Sequence, residues 1–367
     1  MMSDQTASLW NYRRVEALWG WFMGAPAFIG LFTFIILPFL LAVGLSFTDE
    51  RLISPEPGKF IGTRNYDRLL VVTILKLAPL VDEETGKTLR DENGNVEYPR
   101  SRSILRTEEK YKGYYEWFTV DISNKRYVIA AKDPTFMRSL LNNIKFALIV
   151  VPVQCSIALA MALMVNQEIR AVNVFRTTYF SPVVTSTAVL SVVWIFLYNP
   201  DVGLINQFLS SASFGLIKPI NWLGDKATAL YAIIIMAVWQ GAGFQMVIFL
   251  AGLQGIPETL YEAAGIDGAN GWQKFRHVTL PGLRNTTIFV VITTTIFAFR
   301  LFTQVDVMTK GGPVDDATST VVFHAVQEGF RGQRLGYGAT VSVVFFMIVL
   351  VIALIQRVVL RSTGEDD

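Results

Sequence analysis

Six stretches of this chain are each long and apolar enough to cross a lipid bilayer, and they constrain the fold more than any motif does. They run approximately 22–47, 140–165, 178–198, 227–253, 286–305 and 339–355. Crossing takes about 20 mostly apolar residues, because backbone N–H and C=O groups must bond one another where water is absent. Stretches of this length do so as helices. The expected fold is an all-α integral membrane protein with six transmembrane helices. Composition agrees, with 17% of residues charged against about a quarter in an ordinary soluble domain. Pro152 and Pro182 fall inside the second and third stretches and predict kinks. Ala42-Val43-Gly44 looks like a signal-peptide cleavage site. The apolar run around it is too long for that, so the first stretch reads as a retained helix.

Six crossings put both termini on one side. With the termini inside, the short inner segments hold nine basic residues: Arg13, Arg14, Arg170, Arg176, Lys274, Arg276, Arg284, Arg357 and Arg361. The short outer loops hold five: Lys218, Lys226, Lys310, Arg331 and Arg334. That bias predicts cytoplasmic termini. Residues 1–21 and 359–367 are then cytoplasmic tails, 22–47 the first span and 138–358 the core. Residues 48–137 form an extracytoplasmic lobe. Within it, Asn93-Gly94 is a hairpin signal between Thr88-Leu89-Arg90 and Val96-Glu97-Tyr98. A second hairpin joins Tyr115–Ile122 to Arg126–Ala130 through Ser123-Asn124-Lys125. The reading is a small β-rich lobe; the alternative is an ordered loop without a core of its own.

Several functions are disfavoured. The 32 basic and 30 acidic residues nearly balance, and no basic stripe speaks for nucleic acid. Cys155 sits alone in an apolar run and His277 and His324 are the only two histidines, so no metal site is expected. No GxxxxGK[ST] loop is present to cradle ATP phosphates. The span interiors hold no Asp or Glu, which a proton-coupled secondary transporter would need. No nucleophile–base set marks an enzyme.

The segment between the fourth and fifth spans, 255–283, carries the most information. Pro257 suits a first helical turn and Glu258 complements its dipole. Asp267-Gly268-Ala269-Asn270-Gly271 breaks that helix, and a second is expected from Trp272 until Pro281 stops it. Ala263, Ala264 and Gly265 leave room for close approach of another surface, with Tyr261, Trp272 and Phe275 as apolar anchors. From physics alone, a docking knob and a plain membrane-surface linker are both open.

This stretch resembles the "EAA" loop of binding-protein-dependent ABC importer permeases. Glu262-Ala263-Ala264, Gly268, Leu280 and Pro281 stand at the motif's spacing, and Val278 replaces its Ile. The likeness extends to Phe60-Ile61-Gly62, Asn65-Tyr66, Asp133-Pro134, the run from Arg176 to Val184, Tyr198-Asn199-Pro200 and the Gly311-Gly312-Pro313 signature. These are similar to the carbohydrate-uptake, maltose-type branch. Ordinary members lack residues 71–132, whereas the maltose type carries a larger external lobe there.

The resemblance implies a permease subunit of a sugar importer, not an enzyme, working with a second permease, a cytoplasmic ATPase dimer and an extracytoplasmic sugar-binding protein. The partner permease is expected to be a different, shorter chain. ATP and Mg would sit on the ATPase, leaving no cofactor on this chain. Permeases for glycerol phosphate, amino acids or peptides are the nearest alternative. Glu262, Ala263, Ala264, Gly265, Asp267, Gly268, Ala269, Phe275, Leu280 and Pro281 would couple to the ATPase. The sugar cavity would lie near mid-membrane, with Gly241, Phe244 and Gln245 on one helical face and Thr294, Phe297, Ala298 and Leu301 on another. Arg300, about 14 residues or roughly 21 Å into the fifth helix, is costly there unless it meets a wet cavity, a partner or the outer interface. Gln304 would share its role.

Overall fold

The computed structural model describes residues 2–82, 88–91, 94, 96–122, 125–167 and 172–362. Asn93, Ser123, Asn124 and Arg170, named above for turns and charge bias, lie outside that set. Five helices are long and apolar enough to cross a membrane: Val15–Ser46, Pro134–Val165, Ala229–Gln254, Arg284–Met308 and Leu335–Val359. The remaining expected span, the third, is a pair, Val174–Val184 and Thr187–Leu197, bent by 99°. All six expected stretches are thus helical. The kink expected at Pro182 is a break centred a few residues later, whereas the helix around Pro152 runs unbroken from Pro134 to Val165. Helix also begins at Met2, so the expected tail is continuous with the first span.

Each motif that precedes a span does a definable job. At the end of the first span, Asn65 Nδ2 donates to the carbonyls of Ser46 and Thr48 at 3.0 and 2.8 Å. Carbonyls at a helix end lack partners within the helix, and Asn65 supplies one donor to each. Asp133 caps the second span, its carboxylate accepting from the Phe136 N–H at 2.9 Å, and Pro134 occupies the first turn, where its missing N–H costs nothing. The sixth span lies against the end of the first: Thr340 Oγ1 donates to the Ser46 carbonyl at 3.0 Å. A Cβ on Gly336 would collide with the Thr48 carbonyl, so only glycine permits this approach.

The lobe is a three-stranded antiparallel sheet of order β1-β3-β2, from β1 (Val72–Leu77), β2 (Tyr115–Ile122) and β3 (Lys125–Ala131). β3 pairs β1 from Val72↔Ala131 to Leu77↔Arg126, and β2 from Tyr115↔Ala131 to Ile122↔Lys125. Leu75, Leu77, Leu105, Tyr111, Val128 and Ala130 form a core of its own. The second expected hairpin is therefore present. The arms of the Asn-Gly hairpin pair through the bridge Arg90↔Val96 and a 2.9 Å bond from the Glu97 N–H to the Leu89 carbonyl, and a separate bridge joins Val81 to Thr88.

The spans pack as two apolar clusters. One gathers Phe136, Phe146, Trp194, Ile233, Met236, Phe299 and Phe345 towards the lobe; the other gathers Ala158, Ala162, Met246, Phe249, Leu283 and Val290 towards 255–283. Small residues set the spacing. A Cβ on Gly243 would run into the Tyr179 carbonyl, which brings the third and fourth spans into backbone contact.

Candidate functional site: a mid-span cavity and an exposed helical knob

Between the two clusters, about halfway along the second, fourth and fifth spans, lies a cavity of about 510 Å³. Its wall includes all nine residues expected there: Gly241, Phe244, Gln245, Thr294, Phe297, Ala298, Arg300, Leu301 and Gln304. A buried polar chain crosses its floor. Gln154 Nε2 donates to Gln245 Oε1 at 2.7 Å, and Gln245 Nε2 donates to Thr294 Oγ1 at 3.1 Å. All three are at most 5% exposed, so each amide must be paired or left costly in an apolar medium. Gly241 makes the chain possible, because a Cβ there would overlap the Gln154 amide. Phe244 and Phe297 stand open to the cavity, edge to face at 6.3 Å.

Sequence reasoning missed Gln154, Gln240, Thr187 and Thr303 in this wall. Gln154 and Gln240 had a signal: a carboxamide in an apolar span is rare because burial is costly. Gln240, which donates to Thr187 Oγ1 at 3.1 Å, lies one residue off the helical face assumed.

The fifth span departs from expectation. Helix Arg284–Phe299 stops there, Arg300 takes φ −84° and ψ 11°, and helix resumes at Thr303. Arg300 and Leu301 thus sit on a break, not on a continuous helical face. Distant polar groups hold the break open: Asn143 Nδ2 reaches the Phe299 carbonyl at 3.4 Å and Thr320 Oγ1 donates to the Leu301 carbonyl at 2.7 Å. The run after Gly311-Gly312-Pro313 is bound to the start of the second span, with Asn142 Nδ2 donating to the carbonyls of Asp316 and Ser319, each at 2.9 Å. Arg300 is exposed and lines both this cavity and a separate apolar groove beside Ala42 and Phe345, between the first, fifth and sixth spans.

At the other end of the fourth span, Glu258–Ile266 forms a helix with no buried residue. It ends in a Schellman turn, with the Gly268 N–H bonded to the Gly265 carbonyl at 3.1 Å and the Ala269 N–H to the Ala264 carbonyl at 2.9 Å. Gly268 has φ +77°, the left-handed region where a side chain is strained. Asn270 and Gln273 form a capping box that starts the next helical run, Gly271–Gly282. The run ends at Gly282, one residue past the expected stop at Pro281. Pro281 follows closely on a π-helical turn, Phe275–Thr279, at the end of the run. Tyr261 and Thr279 clamp the two arms by a 3.0 Å hydroxyl bond. Glu262, Ala263, Gly265, Asp267, Gly268, Leu280 and Pro281 are exposed, and Ala264, Ala269 and Phe275 half-buried. Ile266, at 88% exposure, is an apolar tip with nothing over it.

A profile of the family described as binding-protein-dependent transport system inner membrane component matches residues 129–364. The chain belongs to this family. As a member it is an inner-membrane ABC transporter permease. It is 30% identical over 269 residues to the probable ABC transporter permease protein YurN of Bacillus subtilis, covering 71% of this chain and 90% of that one. It is 32% identical over 229 residues to the arabinooligosaccharides transport system permease protein AraP of the same organism, covering 62% and 72%. A solved bacterial ABC transporter involved in import of the acidic polysaccharide alginate aligns over 97% of this permease and 99% of that chain, with TM-score 0.66 and 17% identity. That likeness extends over the lobe as well as the spans, and concerns the fold.

Proposed function

We infer that this permease conducts a sugar through the mid-span cavity and is driven by a separate ATPase that grips the 258–281 knob. One observation carries the reading: the same two helices bear both features. The fourth span runs unbroken from Gly241 and Gln245 to Gln254, one short turn from the knob, and the fifth returns from Arg284 to Thr294. A displacement of the knob is therefore carried to the cavity wall along rigid helices. Glu262, Ala263, Ala264, Gly265, Asp267, Gly268, Ala269, Phe275, Leu280 and Pro281 form the coupling surface. Gly241, Phe244, Gln245, Thr294, Phe297, Ala298, Arg300, Leu301 and Gln304 line the path, where aromatic faces cover sugar C–H patches and amides and hydroxyls bond its hydroxyl groups.

The coupling is one of linkage: each nucleotide state of the ATPase must bind one permease conformation better than the other. ATP and Mg belong to that partner, and this chain performs no bond chemistry. A second permease completes the path, an extracytoplasmic binding protein delivers the solute, and the termini and knob face the cytoplasm with the β-lobe outside. The sugar assignment draws support from relatives such as the arabinooligosaccharide permease.

The test is to tag the C-terminus, extract the chain gently from its native membrane and identify what co-purifies while measuring ATP hydrolysis. Recovery of a second permease and an ATPase, lost when Glu262 and Gly268 are made bulky, is the expected result. Recovery of the chain alone, moving solute without ATP, would overturn the reading.

A further inference from the structure

We propose that the solute is an acidic saccharide, one carrying a uronate carboxylate, and that Arg300 selects for it; this rests on the cavity being the sugar path. Of the seventeen described residues lining the cavity, Arg300 alone is ionisable. The others are Phe, Val, Ala, Gly and Leu with carboxamides and hydroxyls, so the cavity carries one uncompensated positive charge. A guanidinium cannot shed its proton at any ordinary pH.

Among the described residues no carboxylate answers that charge. Asp306, six residues on, is held by Arg331 at 2.6 Å. Glu328 is held by Arg334 at 3.1 Å. Asp316 takes Thr135 Oγ1 at 2.8 Å and lies 3.8 Å from Arg138, and Asp315 is held by Lys226 at 3.1 Å. The carbonyl end of helix Arg284–Phe299 beside Arg300 supplies about half a unit of opposing charge at most. The neutral polar groups are largely spent on each other, through Gln154–Gln245–Thr294 and Gln240–Thr187. Of the side chains lining the cavity, Arg300 is thus the strongest hydrogen-bond donor, and the groove it also lines is almost wholly apolar.

A cation within a membrane span is expensive without a counter-charge. A carboxylate on the solute supplies it, in the planar two-bond geometry that a guanidinium matches. One positive charge suits a monoanion. A phosphate dianion would leave net negative charge in the span.

The experiment uses the whole importer, with both permeases, the ATPase and the binding protein, in proteoliposomes. ATP-driven uptake is measured for trisaccharides carrying a single galacturonate, glucuronate or mannuronate residue, for their neutral methyl esters, for neutral trisaccharides and for sugar phosphates. The binding protein's own preference is common to the native and variant permeases and cancels in their ratio. The native importer should favour a uronide over its ester. Arg300→Gln should cut that preference about tenfold or more, the scale of one hydrogen bond to a charged group, and Arg300→Lys should keep part of it. Co-purification of the ATPase with each variant checks assembly. Equal uptake of acid and ester, a preference untouched by Arg300→Gln, or selection of sugar phosphates would overturn the charge assignment while leaving sugar import standing. Failure of every saccharide to move would overturn both.

Discussion

Gly268 shows how a motif residue can be read physically. It closes the exposed helix through a Schellman turn at φ +77°, and a Cβ there would meet no other atom within 4 Å, so the constraint is on backbone conformation alone. Gly268→Val should therefore cost about 1–2 kcal/mol of turn stability and release the ATPase, read by co-purification with membrane insertion unchanged. At the cavity floor the constraint is steric. Gly241→Leu should displace the Gln154 amide and free Gln245, raising the concentration needed for half-maximal uptake. Gln154→Leu removes one intramembrane hydrogen bond, worth roughly 0.6–1.7 kcal/mol; thermal unfolding in detergent measures the loss. Glycine and glutamine in apolar spans are visible in the sequence as oddities. Which glutamine meets which threonine is not, because Gln154, Gln245 and Thr294 are brought together by three separate helices.

At the scale of elements, hydropathy locates spans but not their breaks. The third and fifth spans read as single apolar stretches, yet both are interrupted. An apolar count registers length and composition. A break depends on whether the freed carbonyls find donors, and at Phe299 and Leu301 these come from Asn143 and Thr320. The contact between the third and fourth spans depends likewise on a partner far off in sequence. Gly243→Ala would press a methyl group on the Tyr179 carbonyl, with backbone on both sides and no flexible side chain to give way. It should destabilise the bundle by about 1–3 kcal/mol, seen as a lowered Tm of the purified permease; an unchanged Tm would show that the two helices can separate freely.

Across the whole molecule, one buried cluster joins the second span, the segment after the Gly-Gly-Pro run and the sixth span. His324 Nε2 bonds Asp133 Oδ2 at 2.8 Å, and the Tyr337 hydroxyl donates to the same oxygen. Burial pushes the Asp133 carboxyl up, but hydrogen bonds from His324, Tyr337 and the Phe136 N–H outweigh it and hold the carboxyl below its ordinary 3.8. The stability this confers is complete above the ordinary carboxylate range and is lost as pH falls through the lowered folded value. Thermal stability should accordingly drop below about pH 4, and Asp133→Asn should flatten that dependence; a variant with the native acid profile would place the sensitivity elsewhere. Arg68, stacked 4.4 Å over the Tyr337 ring, ties the segment after the first span into the same cluster.

The sequence alone determined what depends on composition and local spacing: six apolar helices, a knob whose proline, glycine and capping residues act within a few positions, and a β-hairpin in the lobe. Helical spacing put Gly241, Phe244 and Gln245 on one face and Thr294, Phe297 and Ala298 on another, once the family resemblance had pointed to those two helices. The tertiary structure decided what depends on partners far apart in the chain. It broke the fifth helix at Arg300, drew Gln154 into the wall and gave the lobe its core. It also left one guanidinium facing a neutral cavity, since whether a charge is answered depends on everything packed around it and not on its neighbours in sequence.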